Sequence, residues 1–367
     1  MIVIFSITAF IVFLYLVYPL WLTSFASDKS TDEQETEGIN CVSVLLLSFN
    51  GKEYLTEKIN FLLRELSAFE FHELIIIDDN SSDGSVELLR NFGNLDCVKI
   101  LYNSRQEGIP FSMNLGVATA KYDYVVFSDQ RQRLSEGILK KIVEPLKFTK
   151  TGAVSGCISY LDKGKKCFFL RRHENSLKSK ESKTGNLMGV YGPFYAIKKQ
   201  CYSSIPANII LDDLYLSLKI LKSKQIIIRE DCRIMDEEFS THYDFKRARR
   251  YLSGLLQILS EASVIHDLTK KQRIMLFWHK YLRLLIPVLV FLCYITSGLM
   301  IMEGIEYLMV FSVITLAGLL SILPMKSYFL CKMKTVIRVN VYYFFALLNL
   351  FLNGTLFQSK GTDGTNT

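Results

Sequence analysis

The chain has eight cysteines, at 41, 97, 157, 167, 201, 232, 293 and 331, but no Cys-x-x-Cys pair. Scattered thiols of this kind argue against a zinc site and suit reduced cysteines facing cytosol. The five histidines (72, 173, 242, 266 and 279) form no obvious ligand set either. There is no aromatic-basic module of the known nucleic-acid kinds, so the net charge of +7 does not point to nucleic acid. No internal repeat is visible. Charge is missing altogether from the N-terminus, where nothing ionisable on a side chain of Asp, Glu, Lys or Arg precedes Asp28. An apolar run without a basic leader is unlike a signal peptide. Residues 1–25 therefore read as an uncleaved membrane helix, with a cleaved signal as the rival reading.

Hydrophobic residues make up 50% of the chain and are unevenly spread. Three further apolar stretches lie at 284–302, 307–323 and 339–352, the last gaining length if counted from 336 to 354. A bilayer span takes roughly 20 residues. The expected organisation is a membrane helix (1–25), a polar acidic linker (26–40), a large domain (41–243), amphipathic interfacial helices (244–283), three membrane helices (284–354) and a tail (355–367). Lys326, Lys332, Lys334 and Arg338 crowd the last inter-helix loop, and Glu303 and Glu306 occupy the one before it. By the positive-inside rule the basic loop, and by alternation the large domain, face the cytoplasm of a cell membrane. The acidic stretch after the first helix counts for little in that rule.

The large domain alternates short apolar runs with amphipathic stretches. Strands are expected near 42–48, 73–78, 97–102 and 122–128, and helices near 52–66, 83–92, 108–119 and 135–148. Such alternation implies an α/β fold with a mostly parallel sheet covered on both faces. Three runs end in polar residues, at Ser48-Phe49-Asn50, Asp78-Asp79-Asn80 and Ser128-Asp129. Ligands of open parallel sheets bind beyond the carboxyl ends of the strands, so these residues point to one polar site. Residues 163–186, basic and serine-rich, read as a mobile loop. In 244–266, Phe245, Tyr251, Leu252, Leu255, Leu256, Leu259 and Ile265 recur at helical spacing beside Lys246, Arg247, Arg249 and Arg250. That pattern suits a basic amphipathic helix lying on anionic lipid.

Six motifs occur in order: Val42–Asn50, Ile76–Gly84, Gly108 through Asn114-Leu115-Gly116, Val125–Asp129, Gly189–Tyr195 with Leu211-Asp212-Asp213-Leu214, and Arg247–Tyr251. Together they resemble a membrane-bound family 2 glycosyltransferase with a GT-A (Rossmann-like) fold. The likeness covers about 42–260. That family normally carries Asp-x-Asp. Here the run is Asp129-Gln130-Arg131-Gln132, similar to a subset with an Asp-x-Arg-Gln variant.

The resemblance implies a nucleotide-sugar donor held by Ser48, Asn50, Asp78, Asp79, Asn114, Asp129, Arg131, Arg249 and Arg250. A carboxylate of the Asp78-Asp79 turn can accept the N3 proton of uracil, or can simply cap the next turn. Mg²⁺ or Mn²⁺ is expected on Asp129, with Arg131 as the alternative source of positive charge at the diphosphate. Asp213 matches the base that deprotonates the acceptor, and Asp212 is its neighbour. Gly189 and Gly192 would lie on the acceptor side, where glycine lets backbone approach closely. The expected activity is inverting transfer from a UDP-sugar to a lipid-linked or growing glycan in surface polysaccharide assembly. Replacement of the family's Gln-x-x-Arg-Trp by Arg247-Ala248-Arg249-Arg250-Tyr251 weighs against processive synthesis, which stays as an alternative beside a catalytically silent scaffold. Sugar, linkage and oligomeric state are not legible.

Overall fold

The computed structural model describes residues 17–24, 38–160, 169–236, 245–322 and 340–349. Most of the expected N-terminal helix and linker lies outside these residues. So do His242, the basic loop of 326–338, and the tail.

Four parallel strands carry the polar ends: β1 (Cys41–Ser48), β2 (Phe71–Asp78), β3 (Val98–Tyr102) and β4 (Tyr124–Asp129). Their centres are continuous branched apolar runs, with Val44, Leu45, Ile75, Ile76, Val125 and Val126 at 0% exposure. Strands buried on both faces need such runs. The sheet has eight strands in the order β3-β2-β1-β4-β7-β6-β8-β5. Its other half comprises β5 (Arg133–Leu134), β6 (Thr151–Tyr160), β7 (Phe194–Lys198) and β8 (Gln225–Asp236). β7 runs antiparallel to both β4 and β6, which makes the sheet mixed. Register sets the site. Ser48 lies opposite Asp78, Leu47 opposite Asp129, and Ser128 opposite Phe194.

After the helical residues 17–23 (α1), helix α2 (Lys52–Leu66) places Leu55, Ile59, Leu62 and Leu66 on one buried stripe. Helix α3 (Ser85–Arg90) follows the β2 turn. Helix α4 (Ile109–Thr119) begins with Pro110 in its first turn. A Cβ at Gly116 would stand 3.0 Å from Leu45 and 3.1 Å from Ile77, so this glycine seats α4 directly on β1 and β2. The helix expected over 135–148 is shorter: α5 (Ile138–Val143) gives way to a 3₁₀ turn, Glu144–Lys147. Pro145 has no N–H to continue an α-helical ladder.

Within the expected loop of 163–186, the described residues form a helix instead, α6 (Phe169–Lys183). Its inward face carries Lys178 and Glu181, both buried, at 3% and 0% exposure. Buried charge costs several kcal/mol unless it is paired. Glu181 accepts hydrogen bonds from Tyr18 Oη (2.6 Å) and the Met188 N–H (3.0 Å), and lies 2.7 Å from His279 Nδ1. His279 Nε2 is 3.1 Å from Glu174, and Lys280 Nζ is 3.8 Å from the same carboxylate. Burial pushes the Glu181 carboxyl up, but His279 and Tyr18 outweigh it and hold it below its ordinary value. Tyr18 also stacks on Trp278, with ring centroids 5.8 Å apart. A hub of paired charges thus ties α1, α6 and the π-helical turn Phe277–Tyr281 together.

The C-terminal elements are α7 (Asp212–Leu221), α8 (Phe245–Ser260), α9 (Ala262–His266), α10 (Lys270–Leu276), α11 (Leu285–Leu299), α12 (Ile305–Ile322) and residues 340–349 (α13). Of the stripe expected to lie on lipid, Leu252 and Leu255 are wholly buried against the domain, with Ala248 and Ile258 beside them, while Leu259 is 44% exposed. Among the described residues no single helix is long and apolar enough to cross a bilayer. Lys270–Tyr281 together with Leu285–Leu299, bent by 52°, pass by length and composition as a pair.

Replacing Glu181 by Ala removes the acceptor shared by Tyr18, His279 and the Met188 N–H. The expected loss is about 3 kcal/mol or more, read as a lower Tm for the purified full chain. Lys183→Ala, at an exposed position of the same helix, should shift stability by no more than about 0.5 kcal/mol. Equal effects would show that the hub does not stabilise the fold.

Candidate active site

A cavity of about 270 Å³ lies beyond the carboxyl ends of β1 and β4. It gathers Asp129, Asp212, Asp213, Gly192, Arg247 and Arg250 from four separate parts of the chain. Phe127, Tyr195 and Leu211 line its apolar side.

Asp129 arrives as the last residue of β4, and its N–H donates to the Pro193 carbonyl at 3.0 Å. Asp212 and Asp213 open α7, where carboxylates are favoured by the helix dipole. Ser217 Oγ donates to the Asp213 carbonyl at 2.6 Å and accepts from the Val190 N–H at 3.1 Å, joining α7 to the glycine turn. Gly192 closes that turn on Asp213: a Cβ there would stand 3.3 Å from Oδ2.

Helix α8 holds the segment that leads into the two aspartates. Gln257 Oε1 accepts from the Ile210 N–H at 3.0 Å, and Nε2 donates to the Asn208 carbonyl at 2.8 Å. A Cβ on Gly254 would come within 2.5 Å of Leu211 Cγ, so only glycine lets the helix cross this close. Burial pushes the Asp212 carboxyl up to about 7, with Asp213 adding to the effect and Arg250 opposing it.

The other expected residues divide. Asp78 accepts from Ser81 N–H (2.9 Å) and Oγ (2.6 Å), which is the turn-capping role. Asp79 accepts from Asn103 Nδ2 (2.7 Å) and from the N–H groups of Glu107 (2.8 Å) and Gly108 (2.9 Å), fixing the entry to α4. Asn50, at φ +44°, accepts from the Ser82 N–H at 2.8 Å and so ties the β1 turn to the β2 turn. Asn114 spends its amide on Tyr202 Oη (2.7 Å) and on both backbone groups of Ile205 (2.8 and 2.9 Å), which is a packing role. Ser48 is buried, and its Oγ has no hydrogen-bond partner among the described residues. Arg131 and Arg249 are exposed and do not line the cavity. Gly189, at φ +103°, offers its carbonyl to Lys178 Nζ at 2.6 Å. Burial, then Lys280, pushes that buried ammonium down to about 7.

Lys58 of α2 was not legible as a site residue. Its ammonium donates to the Gln132 carbonyl beneath the Asp129 turn. Burial pushes it down to about 8, against the pull of Asp129. Gln130 Nε2 donates to the Phe49 carbonyl at 2.8 Å and pins the other side of the turn. Among the described residues no cluster of three His, Cys, Asp or Glu could hold a metal ion unaided. One carboxylate at the strand end still fits Mg²⁺ or Mn²⁺, because such ions take one or two carboxylates and complete their shell with substrate phosphates and water.

A raised carboxyl makes a pH prediction for stability. The folded chain keeps the Asp212 proton to about 7, whereas an ordinary aspartate loses it near 4. Its contribution is present below pH 4 and is lost as pH rises through 7. Asp212→Asn should therefore stabilise the chain at pH 8, by at most about 4 kcal/mol, and much less at pH 4.5. Tm measured against pH for both proteins checks this; a constant difference would sink it.

Residues 43–203 match the sequence profile described as glycosyl transferase family 2. An uncharacterized glycosyltransferase of Haemophilus influenzae is 30% identical over 101 residues, which are 27% of this chain and 40% of that protein. The poly-β-1,6-N-acetyl-D-glucosamine synthase of Staphylococcus epidermidis is 25% identical over 199 residues, 52% of this chain and 47% of that one. The chain thus spans less than half the length of these curated relatives. In three dimensions it resembles the mannosyltransferase PcManGT from Pyrobaculum calidifontis, solved with GDP-Man and Mn²⁺. The TM-score is 0.77 at 16% identity, covering 96% of this chain and 98% of that one. Residues 43–203 are a glycosyltransferase family 2 domain, and the fold that carries them is GT-A.

Proposed function

We propose that the protein transfers a sugar, with inversion, from a nucleotide-sugar to a lipid-linked or growing glycan at the cytoplasmic face of the cell membrane. The observation that carries this reading is the meeting of Asp129, Asp212, Asp213 and Arg250 in one cavity at the carboxyl end of the sheet. A UDP-sugar is the expected donor. The naming of a relative as a polysaccharide synthase supports a role in surface glycan assembly.

In this mechanism Asp213 accepts the proton of the acceptor hydroxyl. The freed oxygen bonds to the anomeric carbon as the carbon–oxygen bond to the diphosphate breaks, and the nucleoside diphosphate leaves with the electron pair. Arg250, and with it Arg247, stands where it can pair with diphosphate oxygens. Asp129 would hold Mg²⁺ or Mn²⁺ together with those oxygens, and the bound ion would offset the charge of the leaving group. Asp212 keeps a second carboxyl beside the base at the start of α7. The exposed apolar side chains of α11 and α12, such as Leu299, Ile305 and Val313, suit insertion beside a lipid carrier. The hub around Glu181 would fix the domain to those helices.

Nucleotide release from a panel of UDP-, GDP- and dTDP-sugars, with lipid acceptors and with Mn²⁺, Mg²⁺ or EDTA, tests this. Release from one donor is expected, reduced at least about 100-fold in Asp213→Asn and suppressed by EDTA. No release and no nucleotide binding would overturn the reading.

A further inference from the structure

The end of the sheet opposite the active site carries a second cavity, of about 280 Å³. Asp123, Tyr124, Thr149, Lys198, Gln200 and Lys224 line it. Tyr124 is the first residue of β4 and lies opposite Lys198, the last of β7. Asp129 ends the same β4, so about 16 Å of strand separates the two cavities.

Two lysines converge here from different elements. Lys198 Nζ donates to the Phe148 carbonyl at 2.8 Å, and Lys224 Nζ donates to the Thr149 carbonyl at 2.7 Å. Consecutive carbonyls of one turn therefore hold the two ammoniums side by side. The Thr151 N–H closes that turn on the Phe148 carbonyl at 3.1 Å. The stems are fixed as well. Lys198 is 7% exposed, and a Cβ on Gly152 would stand 2.6 Å from Lys224 Cβ.

Like charges held together cost stability unless something answers them. Among the described residues neither ammonium forms an ion pair. Asp123 is the one carboxylate of the lining, and it is exposed and pairs with neither lysine. Burial, then the neighbouring Lys224 charge, hold Lys198 below its ordinary value. Two lysines less one aspartate leave the lining at net +1. An ammonium has three N–H donors, and each of these spends one on backbone. The donors that remain suit a group with several acceptor oxygens and up to two negative charges, which is what a phosphate offers.

We propose that Lys198 and Lys224 form a binding site for a phosphate group, separate from the donor cavity. Inorganic phosphate and the phosphate of a lipid headgroup present the same oxygens to it. The proposal is independent of the transferase reading.

Binding is read as the rise in Tm of the purified full chain during titration with inorganic phosphate, with chloride holding the ionic strength constant. A saturable rise is expected. Lys198→Met and Lys224→Met should each weaken it about tenfold or more, because each removes a charged donor. If Lys198→Met fails to fold, Lys224→Met, at a half-buried position, carries the test. Lys150→Met removes an exposed charge that does not line the cavity, and should leave the titration unchanged. Water-soluble dihexanoyl phosphatidic acid forms the second arm. A midpoint below that of inorganic phosphate identifies a lipid headgroup as the ligand; a midpoint above it identifies a free phosphate. No rise beyond that in chloride would overturn the proposal, as would equal weakening by Lys150→Met. A rise lost in Arg250→Gln but kept in both lysine variants would place the phosphate in the donor cavity and overturn it too.

Discussion

The site depends on one close crossing, that of α8 over the segment before Asp212. Three carboxylates share a small cavity and repel one another, so something must hold them there. Gly254 lets the helix come within contact of Leu211, and Gln257 satisfies the Ile210 N–H and the Asn208 carbonyl that the crossing buries. Asp129 is anchored independently by its strand and by the Pro193 carbonyl. Burial, with Asp213 adding to it, raises the Asp212 carboxyl, and the fold bears that cost where the proposed chemistry needs a proton acceptor.

A second layer of polar groups keeps the acidic cluster in place without touching the cavity. Ser217 joins the Asp213 carbonyl to Val190, Lys178 holds the Gly189 carbonyl, and Glu181 holds the Met188 N–H. Glu181 in turn meets Tyr18 of α1 and His279 of the π-helical turn. The glycine turn beside the proposed base is therefore mechanically continuous with the elements that lead toward the apolar helices. Lys58 does similar work on the opposite side, where its buried ammonium supports the Asp129 turn through the Gln132 carbonyl. These are buried charges with partners, which fix geometry at some expense to stability.

Much of this was legible in the chain. The apolar runs at β1, β2 and β4 announce buried parallel strands because their periodicity is unbroken and their ends are polar. Asp129, Asp212, Asp213, Gly192 and Arg250 were recognisable from ordered motifs and do meet in the cavity. Asn114 and Asp78 belong to the same motifs but spend their polar atoms on turns and packing. A motif records that a residue type is needed, and a local hydrogen-bond role needs it as much as a ligand would. Helix α6 escaped notice because its inward face is charged, and pattern reading takes apolar residues as the mark of burial.

The sequence by itself determined the α/β alternation, the polar strand ends and the helical spacing of 244–266, since these follow from local stereochemistry and side-chain period. Tertiary structure decided what those pieces face. It buried Leu252 and Leu255 of α8 against the domain and paired Glu181 with His279 across 98 positions. Each of these is a contact between groups distant in sequence. No residue's local pattern encodes its partner there, because burial and hydrogen bonding are settled only once the elements pack.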